Sequence, residues 1–442
     1  MNGTKEAKAL EIVRRLREQG FAAYLVGGCV RDRILGVKAK DFDIATDARP
    51  EVVQTLFSHT VPIGAQFGVM MVLIDDQPFE VATFRADAPY LDGRRPSAVH
   101  FGTLEADAVR RDFTIGGMYY DPIADRVIDL VGGRHDLRAG IIRAIGDPRQ
   151  RFAEDRLRML RAIRFAARLN FTIEPATMDA IERAAPAITE VSAERIGDEL
   201  VKIMTGGNAG RGMELLRQSG LMRPLLPEVQ ALIGCEQPAN YHPEGDVYRH
   251  TMLAVSMLDE GCSETLAFGV LFHDIAKPRT REVKGDKTTF YGHTEQGAEM
   301  ATHILQRLKR PRHVQTRVAY LVHRHLRLTD ALKMRPSTLK RMLAEDGFEE
   351  LLSLAQMDAL ASNSYLGFYH FCRRAMLAHA PEQLRPPRLI GGSDLIAMGF
   401  TPGPAFKTIL KEVEDLQLDG ELRDHEAAIA YVRSHYPPAS SA

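Results

Sequence analysis

The stretch AAYLVGGCVRDRILG at residues 22–36, followed four residues later by DFDIAT at 41–46, decides how this chain is read. Ala22 to Val26 reads as a short buried strand. Gly27-Gly28 reads as a turn where a phosphate can approach the backbone, and Cys29 to Leu35 as a short helix that Gly36 ends. Asp41 to Ala45 reads as a second strand. Residues i and i+2 of a strand point to one side, so Asp41 and Asp43 are expected to share a face. Adjacent carboxylates repel unless a cation sits between them. Hard oxygen ligands beside a phosphate cradle suit Mg²⁺, which takes one or two carboxylates together with substrate phosphates.

Working outward, Val69 to Ile74 and Phe79 to Phe84 read as two strands around a turn at Asp75-Asp76-Gln77-Pro78. The second strand carries Glu80, the candidate third carboxylate. Acids on adjacent strands beside a Gly-Gly turn form a two-metal phosphoryl-transfer centre, in which metal acidifies the attacking hydroxyl and holds the triphosphate. DFD alone reads equally well as a polar strand end; Gly27-Gly28, Arg31-Asp32 and Glu80 favour catalysis. Residues 4–19 read as an amphipathic helix ended by Gly20, and Ile123 to Gly133 holds a last short strand. The segment Arg85–Pro96 (RADAPYLDGRRP) is polar and rich in turn residues, which predicts a mobile loop.

From about Asp147 the pattern becomes helical. CEQPANYHPEG at Cys235–Gly245 reads as a linker and Arg385–Gly392 as a further break, with Gly399–Pro404 separating two final helices. The 442 residues suggest several domains; 45% apolar and 26% charged residues are ordinary for a globular protein. No apolar run is long enough for a membrane span and the N-terminus lacks a signal-peptide layout, so a cytoplasmic location is expected. Four scattered cysteines without CxxC spacing argue against disulfides and a thiolate zinc site. A net charge of -1 leaves RNA contact to local basic surface. No obligate protein partner is evident.

In RRDFT (110–114), Arg111 can bind phosphate or stack on a base, and Asp112 can accept from a ribose hydroxyl; alone, the segment reads as a capped surface turn with an ion pair. In EDRLR (154–158), Asp155 and Arg158 stand three apart and are expected to share a helix face, offering acceptors and a planar donor fork to a base edge. Arg161 and Arg164 extend the stripe. The plainer reading is a solvated ladder with Glu154 paired to Arg158.

GGCVRD (27–32), DFDIAT (41–46), RRDFTI (110–115), EDRLRMLRAIRFAARL (154–169) and AERIGDEL (193–200) occur in an order that resembles the class II nucleotidyltransferases. These are the bacterial CCA-adding tRNA nucleotidyltransferases and their poly(A) polymerase relatives. The resemblance runs over roughly residues 10–230 and implies an α+β fold: a small catalytic sheet, the head (1–145), then a helical neck (146–235). It implies addition of CCA, or of its terminal A, to tRNA 3′ ends from CTP and ATP, with poly(A) synthesis as the alternative. By position, Asp41 and Asp43 resemble the family's Mg²⁺ ligands. Gly28, Arg31 and Arg111 resemble its phosphate and ribose contacts, Asp155 and Arg158 its base-reading pair, and Arg161 and Arg164 further nucleotide contacts. RADAPYLDGRRP resembles the loop needed for adding the terminal A. Gly116-Gly117 replaces the Asn-Ala of the common RRDFTINA motif.

A second set, His250, His273-Asp274, His293, His323 and Asp358, resembles the HD-domain phosphohydrolases and implies a domain at 240–375, with a helical tail at 385–442. His250, His273, Asp274 and Asp358 would form one metal site, with His293 and His323 on a second metal. Imidazole with carboxylate suits Mn, Fe, Ni or Mg. His303 and His325 read as ordinary core or surface histidines. If active, the domain is expected to cleave phosphomonoesters or cyclic phosphates at RNA ends, with Lys277 on a phosphate.

Overall fold

The structure, a computed structural model, describes residues 4–64, 67–87, 99–238, 243, 245–285 and 287–436. The chain divides into two units. The first comprises residues 1–230 with two short later segments, 258–262 and 307–310, and the second comprises the remainder.

The first unit is built on a seven-stranded sheet of order β3-β4-β5-β2-β1-β8-β9. Its strands are β1 (Ala23–Val26), β2 (Asp43–Thr46), β3 (Thr60–Gly64), β4 (Val69–Ile74), β5 (Gln77–Thr83), β8 (Met118–Asp121) and β9 (Arg126–Asp129). A separate ribbon pairs β6 (Arg85–Asp87) with β7 (Val99–Phe101). The segment expected to be a mobile loop therefore begins as a strand, and its residues 88–96 lie outside the described ones. Asp75 and Asp76 both take positive φ, 47° and 60°, which lets a two-residue turn reverse β4 into β5 without splaying the pair. Gln77 and Pro78, expected in that turn, already belong to β5. β2 and β5 run parallel while β1 and β2 run antiparallel. Val26, Ala45, Phe84, Ala108 and Tyr119 pack together on one face of this sheet.

After the sheet come helices. Pro148–Glu154 ends at Asp155, whose φ of -144° and ψ of 104° are extended. Leu157–Leu169 then begins anew, buries Leu157, Met159, Leu160, Ile163 and Ala166, and stops at Asn170 in the left-handed region. It packs on Ala193–Thr205.

Among the described residues, the regular structure of the second unit is helical apart from the hairpin Glu282–Lys284 and Lys287–Thr289. Val247–Ser256, Glu264–Phe272, Arg312–Arg324 and Phe348–Ala361 pack against one another around the second histidine set. After Gly391 there are three helices, Gly392–Ala397, Pro404–Asp419 and His425–His435, where the sequence suggested two. Leu395, Ile409, Val413, Ala428 and Val432 form their common core. Among the described residues no helix is long and apolar enough to cross a membrane.

Candidate functional site

The first unit holds a cleft of about 850 Å³ lined by Gly27, Gly28, Asp41, Asp43 and Glu80, and by a set of arginines. Asp43 opens β2 opposite Val26 of β1. Ile44 pairs with Val81 in the parallel ladder, so the register sets Glu80 beside Asp43. Asp41 lies before the strand begins, in irregular backbone. The alternation rule therefore does not bring it to Asp43; the turn of the chain into β2 does. Asp41 is 81% exposed at its side chain and accepts from Lys5 Nζ at 2.6 Å.

Asp43 is pushed up to about 6, first by burial and then by the charge of Glu80, with Arg111 opposing. Burial and the charges of Glu80 and Asp41 disfavour the ionised form of Asp43 more than Arg111 and Lys5 favour it, and a divalent cation beside these carboxylates would tip the balance back. The donor set thus fits an ion of the Mg²⁺ kind. Gly27, at φ 75°, takes the backbone conformation that only glycine adopts freely, and a Cβ there would stand 3.8 Å from Asp43 Oδ2. Gly28 is the first residue of the helix Gly28–Ile34. Arg31 is buried, pairs with Asp32 at 2.6 Å and lies over the Phe165 ring.

Arg111 donates to Asp107 Oδ2 at 3.2 and 2.9 Å, and Arg110 grips Asp107 Oδ1 at 2.8 and 2.6 Å. The Tyr119 hydroxyl donates to the same Oδ2 at 2.6 Å. Burial opposes the charge of Asp107, but Arg111 and Arg110 outweigh it and hold the carboxyl below its usual range.

Asp112 is engaged differently from the ribose acceptor the sequence suggested. Its Oδ1 takes Arg158 Nε at 2.8 Å and its Oδ2 takes Arg161 Nε at 2.7 Å. Burial again opposes ionisation, and the two arginines hold the carboxyl low. Asp112 therefore fixes two guanidinium groups at the cleft wall. Asp155 and Arg158 do not share one helix face, because the helix breaks at Asp155. Asp155 Oδ1 accepts the Leu157 N–H at 3.1 Å and caps the new helix, while Oδ2 takes Arg195 at 2.8 Å. Both Asp155 and Arg158 still line the cleft. The plainer ladder is also present: Arg158 donates to Glu154 at 2.7 Å. Arg164 is not among the cleft residues; it pairs with Glu199 at 2.9 Å and ties two helices together. Arg161, Phe165 and Arg168 continue the wall, four and three residues apart, as one helix face requires.

The second unit brings two groups of possible ligand atoms together, His250, His273 and Asp358, and Asp274, His293 and His325, each within 4.8 Å of one another. His273 and Asp274 sit just after the helix Glu264–Phe272. Asp274 divides its oxygens between the groups, with Oδ2 at 3.2 Å from His273 Nε2 and Oδ1 at 3.5 Å from His293 Nε2. His250 Nε2 lies 3.1 Å from Asp358 Oδ1. His273, His293 and His325 each place Nδ1 at 2.7–2.8 Å from the carbonyl oxygen three residues earlier. A carbonyl only accepts, so Nδ1 carries a proton, which leaves Nε2 as the inward nitrogen whose lone pair becomes available once its own proton is lost, as in metal-ligating histidines. Among the described residues, Asp274 Oδ1 and His293 Nε2 are buried with no hydrogen-bond partner, which fits a metal in that place. Burial opposes charge on His273, but Asp274 and Asp358 push it up to about 9. Burial and the neighbouring His273 hold His325 down to about 4. His325 occupies the place expected for His323, which is exposed.

A CCA-adding enzyme of Leuconostoc mesenteroides is 30% identical over 433 residues, 97% of this chain and 96% of that one. The chain belongs to the CCA-adding enzyme and poly(A) polymerase family. Models of the family's parts match in chain order: the poly A polymerase head domain over residues 23–143, the "Probable RNA and SrmB- binding site of polymerase A" over 170–233, and the HD domain over 246–361. The CCA-adding enzyme of Bacillus licheniformis is 44% identical over 219 residues, 49% of this chain and 55% of that one. Poly(A) polymerase I of Haemophilus influenzae is 40% identical over 236 residues, 50% and 52% of the two chains. The chain thus spans about half the length of these two relatives. Among solved structures, the Bacillus stearothermophilus CCA-adding enzyme in complex with CTP superposes with a TM-score of 0.73 at 26% identity, over 98% of each chain.

Four residues of these two clusters escaped the sequence reading. Asp107 precedes Arg111 by four residues on one helix turn, a spacing visible in DAVRR. Arg168 follows Arg161 by seven. His325 continues the apolar stripe of Val314, Val318, Leu321 and Val322, all buried, so its inward direction was legible in the period. Arg195 meets Asp155 across forty residues, and no local signal announces that.

Proposed function

We propose that this protein is a template-independent tRNA nucleotidyltransferase that adds CCA to tRNA 3′ ends from CTP and ATP, releasing pyrophosphate. The observation that carries this is the near-complete alignment with a CCA-adding enzyme, coupled to a cleft whose acids converge at Asp43. The same reading places the protein in the cytoplasm, with a head at 1–145, a neck at 146–235, an HD domain at 240–375 and a tail at 385–442.

Asp41, Asp43 and Glu80 would hold Mg²⁺. When bound, the ions would acidify the attacking hydroxyl of the RNA end and neutralise charge on the triphosphate. The chain supplies the rest. Arg111, held by Asp107 and Tyr119, presents a fixed positive charge to phosphate. Gly27 leaves the backbone bare beside Asp43, so a phosphate can lie close. Arg158 and Asp155 offer donor and acceptor to a base edge from positions that Asp112 and Arg195 keep rigid. A protein-built base reader selects CTP and ATP without a template, because size and hydrogen-bond pattern are set by the side chains. In the HD domain, His250, His273, Asp274, His293, His325 and Asp358 would hold one or two divalent metals for hydrolysis of phosphates at RNA ends.

Incubation with tRNA lacking CCA, tRNA ending in CC, and oligo(A), each with single labelled nucleotides, tests the reading. CTP incorporation into the first supports it. ATP incorporation only into the CC-ended tRNA indicates an A-adding enzyme, and extended ATP incorporation into oligo(A) a poly(A) polymerase; either outcome overturns CCA addition.

A further inference from the structure

The cleft beside the histidine–aspartate cluster has a volume of about 800 Å³, more than a phosphate at the cluster needs. Its remaining wall includes four aromatic residues. Tyr291 is 82% exposed and Tyr365 is 59% exposed, yet both line the cleft, with Phe290 and Phe368 behind them. Exposed tyrosines around a pocket that otherwise handles charge need a reason, and flat aromatic partners supply one.

The backbone under both rings is ordered by local turns. The His293 Nδ1 donates to the Phe290 carbonyl at 2.7 Å, and Gly292 takes φ 79°. The turn that aims this candidate ligand therefore also presents Tyr291. The Tyr365 N–H donates to Asn363 Oδ1 at 3.0 Å, and Ser364 is left-handed at φ 58°. A Cβ at Gly367 would stand 2.4 Å from the Tyr365 hydroxyl oxygen and 2.6 Å from its Cζ, so the end of the ring lies against the bare Gly367 backbone. Lys277 Nζ completes the polar end: it bonds Asp274 and Gln237 at 2.7 Å each and lies over the Phe290 ring. One cleft thus carries an ammonium, a metal-ligand set and two exposed tyrosine rings, the groups that the phosphate and the base of a nucleotide call for.

We propose that Tyr291 and Tyr365 clamp the terminal nucleobase of an RNA 3′ end whose phosphate lies at the cluster. This rests on the reading of the second unit as a phosphohydrolase, and it sets the substrate class as nucleotides in preference to small phosphomonoesters. Every base has a π face, so the clamp accepts all four bases.

The chain has no tryptophan, so Tyr291→Trp places a lone fluorophore at the clamp. Adenosine 3′-monophosphate should quench its emission saturably, and ribose 5-phosphate should not. Adding Tyr365→Ala should weaken the adenosine ligand roughly tenfold, the scale of one lost base–aromatic stack, while Tyr365→Phe restores it. Equal affinity for the two ligands, or an affinity untouched by Tyr365→Ala, overturns the clamp. Phosphate release is followed in parallel, in the parent and in His273→Ala. Base-dependent quenching with no phosphate release in either keeps the clamp and removes the hydrolase. Release that is abolished by His273→Ala but indifferent to the base keeps the hydrolase and removes the clamp.

Discussion

Arg195 Nη2 donates to Asp155 Oδ2 at 2.8 Å, across forty residues of sequence. The acid proposed to face an incoming base is thereby held by Arg195 of the helix Ala193–Thr205, while its other oxygen caps Leu157. If Asp155 reads the base as proposed, selection between nucleotides depends on the direction of that carboxylate, which Arg195 sets.

Arg195→Ala should therefore damage selection more than turnover. A hydrogen bond to a charged group contributes about 1.5–3 kcal/mol, so the ratio of kcat/KM for CTP over ATP on tRNA lacking CCA should fall by roughly tenfold or more. Arg195→Lys should recover part of it. An equal loss for both nucleotides would mean that Arg195 merely supports the fold. The double variant Asp155→Ala/Arg158→Ala should relax selection further without weakening Mg²⁺ binding, measured by titration.

Asp112 holds Arg158 and Arg161 at once, and Arg158 is buried. Asp112→Ala leaves a buried guanidinium short of its partner, a change that costs about 3–5 kcal/mol in comparable sites. Urea unfolding should show a loss of this order. Glu214→Ala, which breaks the half-exposed pair with Arg217, should cost no more than about 1 kcal/mol. Similar values for the two would show that Asp112 is not the hub.

What the sequence reveals about this site follows from the range of the forces involved. The β1 strand, its glycine turn and the helix after it are local: an apolar run, two glycines and a helical period. The pairing of β2 with β5 that brings Glu80 to Asp43 is a parallel register across intervening strands, and nothing local encodes it. EDRLR consists of residues that suit a helix, so the break at Asp155 is invisible until Arg195 and the Leu157 N–H claim its carboxylate. The histidines differ for a geometric reason. His323 and His325 stand about 200° apart around a helix, so only one can point inward, and the stripe through Leu321 and Val322 favours His325.

That choice has a direct consequence for metal content. His325→Ala should lower the divalent metal retained by the purified protein by about one equivalent if the second group binds one ion, whereas His323→Ala should leave it unchanged. Metal analysis after dialysis reads both. The reverse pattern would return the ligand role to His323.

Asp43 carries a pH signature. Its carboxyl is pushed up to about 6 from an ordinary 3.8, by burial first and Glu80 second. Between those values the folded protein holds a proton that the unfolded chain has released, so metal-free stability falls as pH rises through this window and stays lower above pH 6. Asp43→Asn removes the charge and with it the loss. In chelator, the variant should be more stable than the parent at pH 8, by at most about 3 kcal/mol for a shift of this size, and the advantage should shrink towards pH 5. Saturating Mg²⁺ should reverse the order at pH 8, because the ion binds the parent's carboxylate and stabilises the folded form by mass action. Thermal melts at pH 5 and pH 8, with and without Mg²⁺, give all four values. A variant that melts at the parent's temperature in chelator at pH 8 would show that Asp43 is already compensated by Arg111 and Lys5, and the cation would then have no electrostatic deficit to fill.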